Sequence, residues 1–157
     1  MKEIIEKLTK LGYTISTMES CTGGGVVNAI TNIEGASEVL KFSAVTYSNE
    51  YKIKMGVSSD IIDKYTVYSV QTAREMALRI SKFTNSNIGI GITGKLNRVD
   101  NNNDYGKDNE VFISIYYNNK HYDKIINVDK KSRKDNKEEI IDLIINMLNE
   151  ILKNEGE

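Results

Sequence analysis

The chain predicts an α/β fold, a three-layer α/β/α sandwich around a mixed, mostly parallel sheet. Segments of helical period alternate with segments of strand period over the first two thirds, and a hairpin followed by one long helix closes the chain. At 157 residues it reads as a single domain, 1–157, long enough to bury a core without disulfides or metal.

Ile4, Ile5, Leu8 and Leu11 recur at helical spacing, and Gly12 is placed to end that helix. Residues 13–17 read as the first strand. The run Met18-Glu19-Ser20-Cys21-Thr22-Gly23-Gly24-Gly25 then forms a glycine-rich turn. Val26, Val27, Ala29, Ile30 and Ile33 mark a short helix ending near Gly35, and residues 42–47 form a second strand. Residues 49–64 read as one or two short helices interrupted at Gly56. Ser69 is the N-cap of a longer helix, whose apolar face is Val70, Ala73, Met76, Ala77, Ile80 and Phe83. Residues 88–93 make a short buried strand. The polar stretch 95–110 predicts a mobile loop. Residues 111–117 and 122–128, joined through Asn118-Asn119-Lys120, read as a hairpin. The last helix starts at about Asp135, in a capping box with Glu138, and runs through Ile140, Ile144, Leu148 and Leu152.

With 21 basic and 22 acidic residues spread along the chain and a net charge of −1, nothing marks a nucleic-acid or anionic-membrane surface, so the expected partner is a small molecule. One cysteine excludes an internal disulfide and any multi-cysteine metal site. The N-terminus opens an amphipathic helix in place of a signal peptide, and no apolar run reaches the roughly 20 residues that span a bilayer. The expected compartment is cytoplasmic.

Gly89-Ile90-Gly91-Ile92-Thr93-Gly94 matches G-x-G-x-x-G, but its glycines alternate with isoleucines inside a strand and no helix opens at them. It is read as a strand whose small residues let a helix pack closely, not as a dinucleotide fingerprint. Asp100 to Gly106 fails as a calcium loop: the glycine comes one position late and no acid closes the loop. No metal and no cofactor are expected. No G-x-x-x-x-G-K-[ST] segment exists, which disfavours an NTPase.

The glycine-rich turn is the candidate site. Its glycines allow close backbone approach, and the helix that follows presents unpaired N–H groups to an anion or oxyanion. Ser20 and Cys21 put two nucleophiles there. His121, the sole histidine, reads as a surface strand residue, so Ser20 needs another base. Lys52, after the second strand, is the natural candidate, because a desolvated lysine can be neutral near pH 7 and accept a serine proton. Glu19 either orients a hydroxyl or a base, or bonds backbone N–H groups of the turn.

Glu19-Ser20-Cys21-Thr22-Gly23-Gly24, then Val45-Thr46-Tyr47-Ser48-Asn49-Glu50 with Lys52, then Gly56-Val57, closely resembles the C-terminal domain of the competence-damage-inducible protein CinA. That family includes stand-alone nicotinamide-nucleotide amidohydrolases. The resemblance implies deamidation of nicotinamide mononucleotide to the acid, with release of ammonia, in pyridine-nucleotide salvage. It implies Ser20 as nucleophile, Lys52 as base and later acid, and Tyr47 as a helper in the proton relay. It further implies substrate contacts from Glu19, Thr22, Gly23, Gly24, Ser48, Asn49, Thr93, Gly94 and Arg133, with Thr22, Gly23 and Gly24 offering N–H groups to the oxyanion. A homo-oligomer is also implied. The chain departs from the family pattern at Lys95-Leu96-Asn97-Arg98, where Ile-Ala-Gly-Pro is usual, at Val67-Tyr68 before Ser69, and at Lys131-Ser132 before Arg133. The wall that covers substrate is therefore rebuilt, and the alternative to an enzyme is an inactive nucleotide-binding or interaction module of the same fold.

Overall fold

A computed structural model describes residues 1–97, 100–129 and 132–156, so that Arg98 and Lys131, two of the departures just named, lie outside the described residues. The elements in chain order are α1 (Lys2–Leu11), β1 (Ile15–Glu19), α2 (Gly25–Thr31), a 3-10 turn (Ala36–Glu38), β2 (Ala44–Val45), α3 (Asn49–Lys54) and α4 (Ser59–Tyr65). They continue with α5 (Val70–Thr84), β3 (Ile88–Gly94), β4 (Glu110–Tyr117), β5 (Lys120–Asn127) and α6 (Arg133–Ile151). One sheet has the order β2-β1-β3-β4-β5. β1 pairs in parallel with β2 and β3, while the β3–β4 and β4–β5 pairings are antiparallel. Four of the five strands therefore run one way and β4 alone opposes them, the mixed sheet that the periodicities predict.

Helices cover both faces. On one, Ile15, Ile88, Ile90 and Ile92 meet Leu8 of α1, Ile30 of α2 and Ile144 of α6 in the larger core. On the other, α5 lies directly on β3. A Cβ at Gly89 would stand 2.1 Å from the Ala77 carbonyl oxygen, and one at Gly91 would stand 2.2 Å from that of Ala73. Those two glycines thus set the helix–sheet distance, as their alternation with isoleucine suggests.

Several boundaries move. β1 ends at Glu19 instead of residue 17, because pairing with β3 from Ile15↔Ile88 to Glu19↔Ile92 fixes its span, and all five residues are buried. β2 has two residues, not six. Ile15 makes an isolated parallel bridge to Leu40, but the Thr17 N–H is taken by the Ser43 side chain at 3.1 Å, so the continuous ladder resumes only at Ala44. α2 ends at Thr31 with Asn32 as its C-cap, short of Ile33. Phe83 is 66% exposed and meets Phe42 at 5.4 Å between centroids, outside the α5 core face. β5 starts at Lys120, since Asn118 and Asn119 both take positive φ and close a two-residue hairpin turn. α6 begins at Arg133, where the Ser132 side chain accepts the Asp135 N–H, so the cap lies one turn-length before Asp135.

This topology locates the site. From β1 the chain passes through α2 to β2 on one side, while β3 lies on the other, so β1 and β3 diverge at a switch point where α/β sheets bind ligands. Ser20 follows β1, Gly94 ends β3, and α3 follows β2. Among the described residues no helix is long and apolar enough to cross a membrane.

Candidate active site

Three strand ends are stitched together beneath the glycine-rich turn. The Ser20 N–H donates to the Ile92 carbonyl at 3.0 Å, and the Thr46 N–H donates to the Glu19 carbonyl at 2.8 Å. Gly23, at φ 61°, donates its N–H to the Ser20 carbonyl at 2.9 Å and closes a tight turn that needs glycine's left-handed backbone. Ser20 is thereby held at the base of a cavity of about 640 Å³, within the range of small-molecule sites.

Lys52 reaches Ser20 from the next parallel crossover. The Ser48 side chain caps α3 by accepting the Tyr51 N–H at 3.2 Å, and Lys52 lies one turn later. Its side chain runs inward until it is 2% exposed. There Nζ donates to Ser20 Oγ at 3.1 Å and to the Thr46 carbonyl at 2.8 Å. Burial disfavours the charged amine and lowers its pKa from 10.5 to about 8. A serine hydroxyl bonded to a buried lysine whose pKa is lowered towards neutrality is an arrangement able to activate the hydroxyl as a nucleophile.

Cys21 differs from its neighbour in every respect that matters. It is buried in the larger core, and burial pushes its thiol up to about 12, so it stays protonated and poorly nucleophilic. Adjacent residues leaving a strand face opposite ways, which puts Ser20 on Lys52 and Cys21 largely in the core.

The remaining expected site residues divide. Tyr47, Ser48, Asn49, Gly94 and Arg133 line the cavity with Ser20. Tyr47 is 66% exposed at the rim, and among the described residues no hydrogen bond joins its hydroxyl to Ser20 or Lys52, so the expected relay link is not made here. Glu19, Thr22, Gly23, Gly24 and Thr93 lie outside the lining. Glu19 is fully buried and accepts four hydrogen bonds, from Thr17 Oγ1, Thr22 Oγ1 at 2.7 Å, and the backbone N–H groups of Val26 and Val27, both at 2.9 Å. Of its two readings the structural one holds: Glu19 caps α2, and Thr22 serves Glu19. The Thr93 hydroxyl donates to the Val67 carbonyl at 2.8 Å and ties β3 to the segment before α5.

Residues that the sequence marked only as departures from the family pattern or as loop, and not as site residues, complete the wall. Tyr68, Lys95, Leu96, Asp100, Asn102 and Asn103 all line the cavity. The stretch expected as a mobile loop is, where described, fastened at several points. The Tyr68 hydroxyl donates to Asp100, Asn103 Nδ2 donates to Asp100 Oδ2 at 3.0 Å, and Asn49 Nδ2 donates to Asn103 Oδ1 at 3.0 Å. Burial alone would raise the Asp100 carboxyl, but these bonds and the backbone N–H groups of Asn102 and Asn103 outweigh it and hold it below the usual value. An acid among asparagines, forming a local turn on the following N–H groups, is the signal that composition alone conceals.

The family model for the CinA C-terminal domain matches residues 1–152. A CinA-like protein of Kosmotoga olearia is 45% identical over 92 residues, 58% of this chain and 22% of its own length. One of Flavobacterium psychrophilum is 41% identical over 111 residues, 69% of this chain and 26% of its own length. The chain thus spans about a quarter of the curated relatives it matches. Among solved structures, a CinA superfamily protein from Klebsiella pneumoniae superposes with TM-score 0.88 at 19% identity, covering 97% of this chain and 94% of the other. A competence/damage inducible protein from Agrobacterium tumefaciens gives 0.83 at 28%, covering 93% and 89%.

Proposed function

Because this chain belongs to the CinA C-terminal domain family, we propose that it is a serine–lysine amidohydrolase that deamidates nicotinamide mononucleotide or a close relative. The observation that carries the reading is the 3.1 Å bond between Ser20 Oγ and a Lys52 amine that is 2% exposed. Neutral Lys52 takes the Ser20 proton as Oγ attacks the carboxamide carbon. The resulting ammonium returns that proton to the departing ammonia, and a water then hydrolyses the acyl-serine ester.

The oxyanion requires a donor; in the turn Gly23 donates to the Ser20 carbonyl, Gly25 to the Thr22 carbonyl, and Val26 and Val27 to Glu19, while Thr22 and Gly24 lie outside the cavity lining. We assign it to the backbone N–H of Cys21, the residue after the nucleophile, which lines the cavity. Tyr47 at the rim offers a ring face to the pyridine, and Arg133, at the first turn of α6, offers a cation to the rest of the substrate.

The test is ammonia release from nicotinamide mononucleotide by the purified protein. Ser20→Ala should abolish it, and kcat/KM of the unmodified protein should rise tenfold per pH unit and level off above about pH 8. No turnover on a panel of pyridine nucleotides, or turnover indifferent to Ser20→Ala, would overturn the reading. Thermal stabilisation by the nucleotide without ammonia release would identify a binding module instead.

A further inference from the structure

The cavity is lined by a lysine, distinct from Lys52, for which the proposed chemistry has no use. Lys95 follows Gly94 at the end of β3, and its side chain is 2% exposed. Its Nζ lies 4.9 Å from the centroid of the Tyr68 ring and 3.6 Å from Asp108 Oδ1, and it makes no hydrogen bond among the described residues. A separation of 3.6 Å exceeds hydrogen-bond reach, and the Asp108 side chain is 51% exposed, so solvent screens the attraction. A buried ammonium with no hydrogen-bond partner among the described residues is costly. It becomes favourable once anionic oxygens reach it.

Resting on the reading of this cavity as the Ser20 site, we propose that Lys95 recognises a phosphomonoester of the substrate and that Asp108 holds that anion's place in the free protein. The tyrosine that Lys95 packs against is itself fixed by Asp100, so the ammonium is pre-positioned by a cation–π contact that a ligand need not break. The Asp100 carboxylate is turned onto Tyr68, Asn103 and the Asn102 N–H, which leaves less of its charge to oppose an anion. Arg133 lines the same cavity, and two cations suit a dianion. Asp108 is not in the lining, and its exposed side chain is free to swing away when substrate oxygens replace it.

The two partners predict effects of opposite sign. In a Ser20→Ala background, calorimetric titration should show nicotinamide mononucleotide binding about tenfold or more tighter than nicotinamide riboside, which lacks the phosphate. Lys95→Met should erase that ratio and Lys95→Arg should restore part of it. Asp108→Asn, a change at an exposed position that keeps the fold, should tighten the mononucleotide severalfold by removing its competitor. Inorganic phosphate should compete with the mononucleotide and lose affinity in Lys95→Met. If Lys95 and Asp108 form only a structural ion pair, both variants lower thermal stability and neither changes the ratio, which overturns the proposal. Phosphate that binds without competing overturns it as well. Ammonia release with equal kcat/KM for both ligands would overturn it while leaving the amidohydrolase standing. The expected binding ratios without ammonia release would support Lys95 while refuting the reaction.

Discussion

Lys52→Met tests the base through stability instead of turnover. The amine is lowered from 10.5 to about 8 by burial, and at about 1.36 kcal/mol per unit the charged form costs the folded state about 3 kcal/mol. Between those two values the unfolded chain binds more protons than the folded one, so stability rises with pH across that window. Nearly the full cost is present at pH 7, and about 2 kcal/mol of it is relieved by pH 9.5. Methionine removes the charge but also the bonds to Thr46 and Ser20, worth about 1 kcal/mol each or less. The variant, inactive on the proposed mechanism, should therefore be about 1–2 kcal/mol more stable than the parent at pH 7, with that advantage gone at pH 9.5. Urea unfolding of both proteins at the two pH values measures it, and taking the difference cancels titrations common to both, such as that of Cys21. A stability difference that does not change with pH would show that Lys52 is unshifted and unfit as a base near neutrality.

Three further outcomes follow from the geometry. Gly91→Ala puts a Cβ 2.2 Å from the Ala73 carbonyl oxygen, so α5 must move, and chemical denaturation should show a loss of about 3 kcal/mol or more. Glu19→Gln replaces one of two accepting oxygens with a donor facing the α2 N–H groups, and should lower stability by about 3 kcal/mol in the same assay. Cys21, buried and raised to about 12, should resist iodoacetamide at pH 8 in the native protein and react fully in urea, as read by mass spectrometry. Modification as fast in the native state as in urea would contradict its burial.

Helices were legible because their apolar faces are local. Ile4, Ile5 and Leu8, or Ala73, Met76, Ala77 and Ile80, repeat within one element and need no partner to be recognised. Strand limits were not. Tyr13-Thr14-Ile15-Ser16-Thr17 alternates as well as Ile15-Ser16-Thr17-Met18-Glu19 does, and only pairing with a β3 that lies 73 residues further on selects the second. The two-residue β2 is a similar case, decided by a Ser43 side chain that intercepts a ladder donor. For the site, Ser20 and Lys52 could be paired by chemistry, since one is a nucleophile without a histidine and the other a lysine beside a strand end. Asp100 and Asn103 could not, because a polar, asparagine-rich stretch has the composition of a solvated loop whether or not a tyrosine such as Tyr68 is waiting to bind it.

The glycine-rich turn also shows why a motif can be right in place and wrong in role. Unpaired N–H groups at the start of a helix attract an anion, and at α2 that anion is the protein's own: Glu19 occupies the Val26 and Val27 donors and is fully buried in doing so. A substrate anion has no claim on those groups. With the helix terminus already satisfied, the turn's contribution to the proposed chemistry narrows to holding Ser20 against Lys52 and presenting the Cys21 N–H, and on that reading the charge that recognises substrate comes from across the cavity. There the described cations are Lys95 and Arg133, contributed by the end of β3 and the start of α6. On the proposed reading, reaction and recognition therefore sit on different elements. Changes in the segment after Gly94 can retune what is bound without disturbing the Ser20–Lys52 pair, which is the expected pattern if that segment diverges while the turn does not.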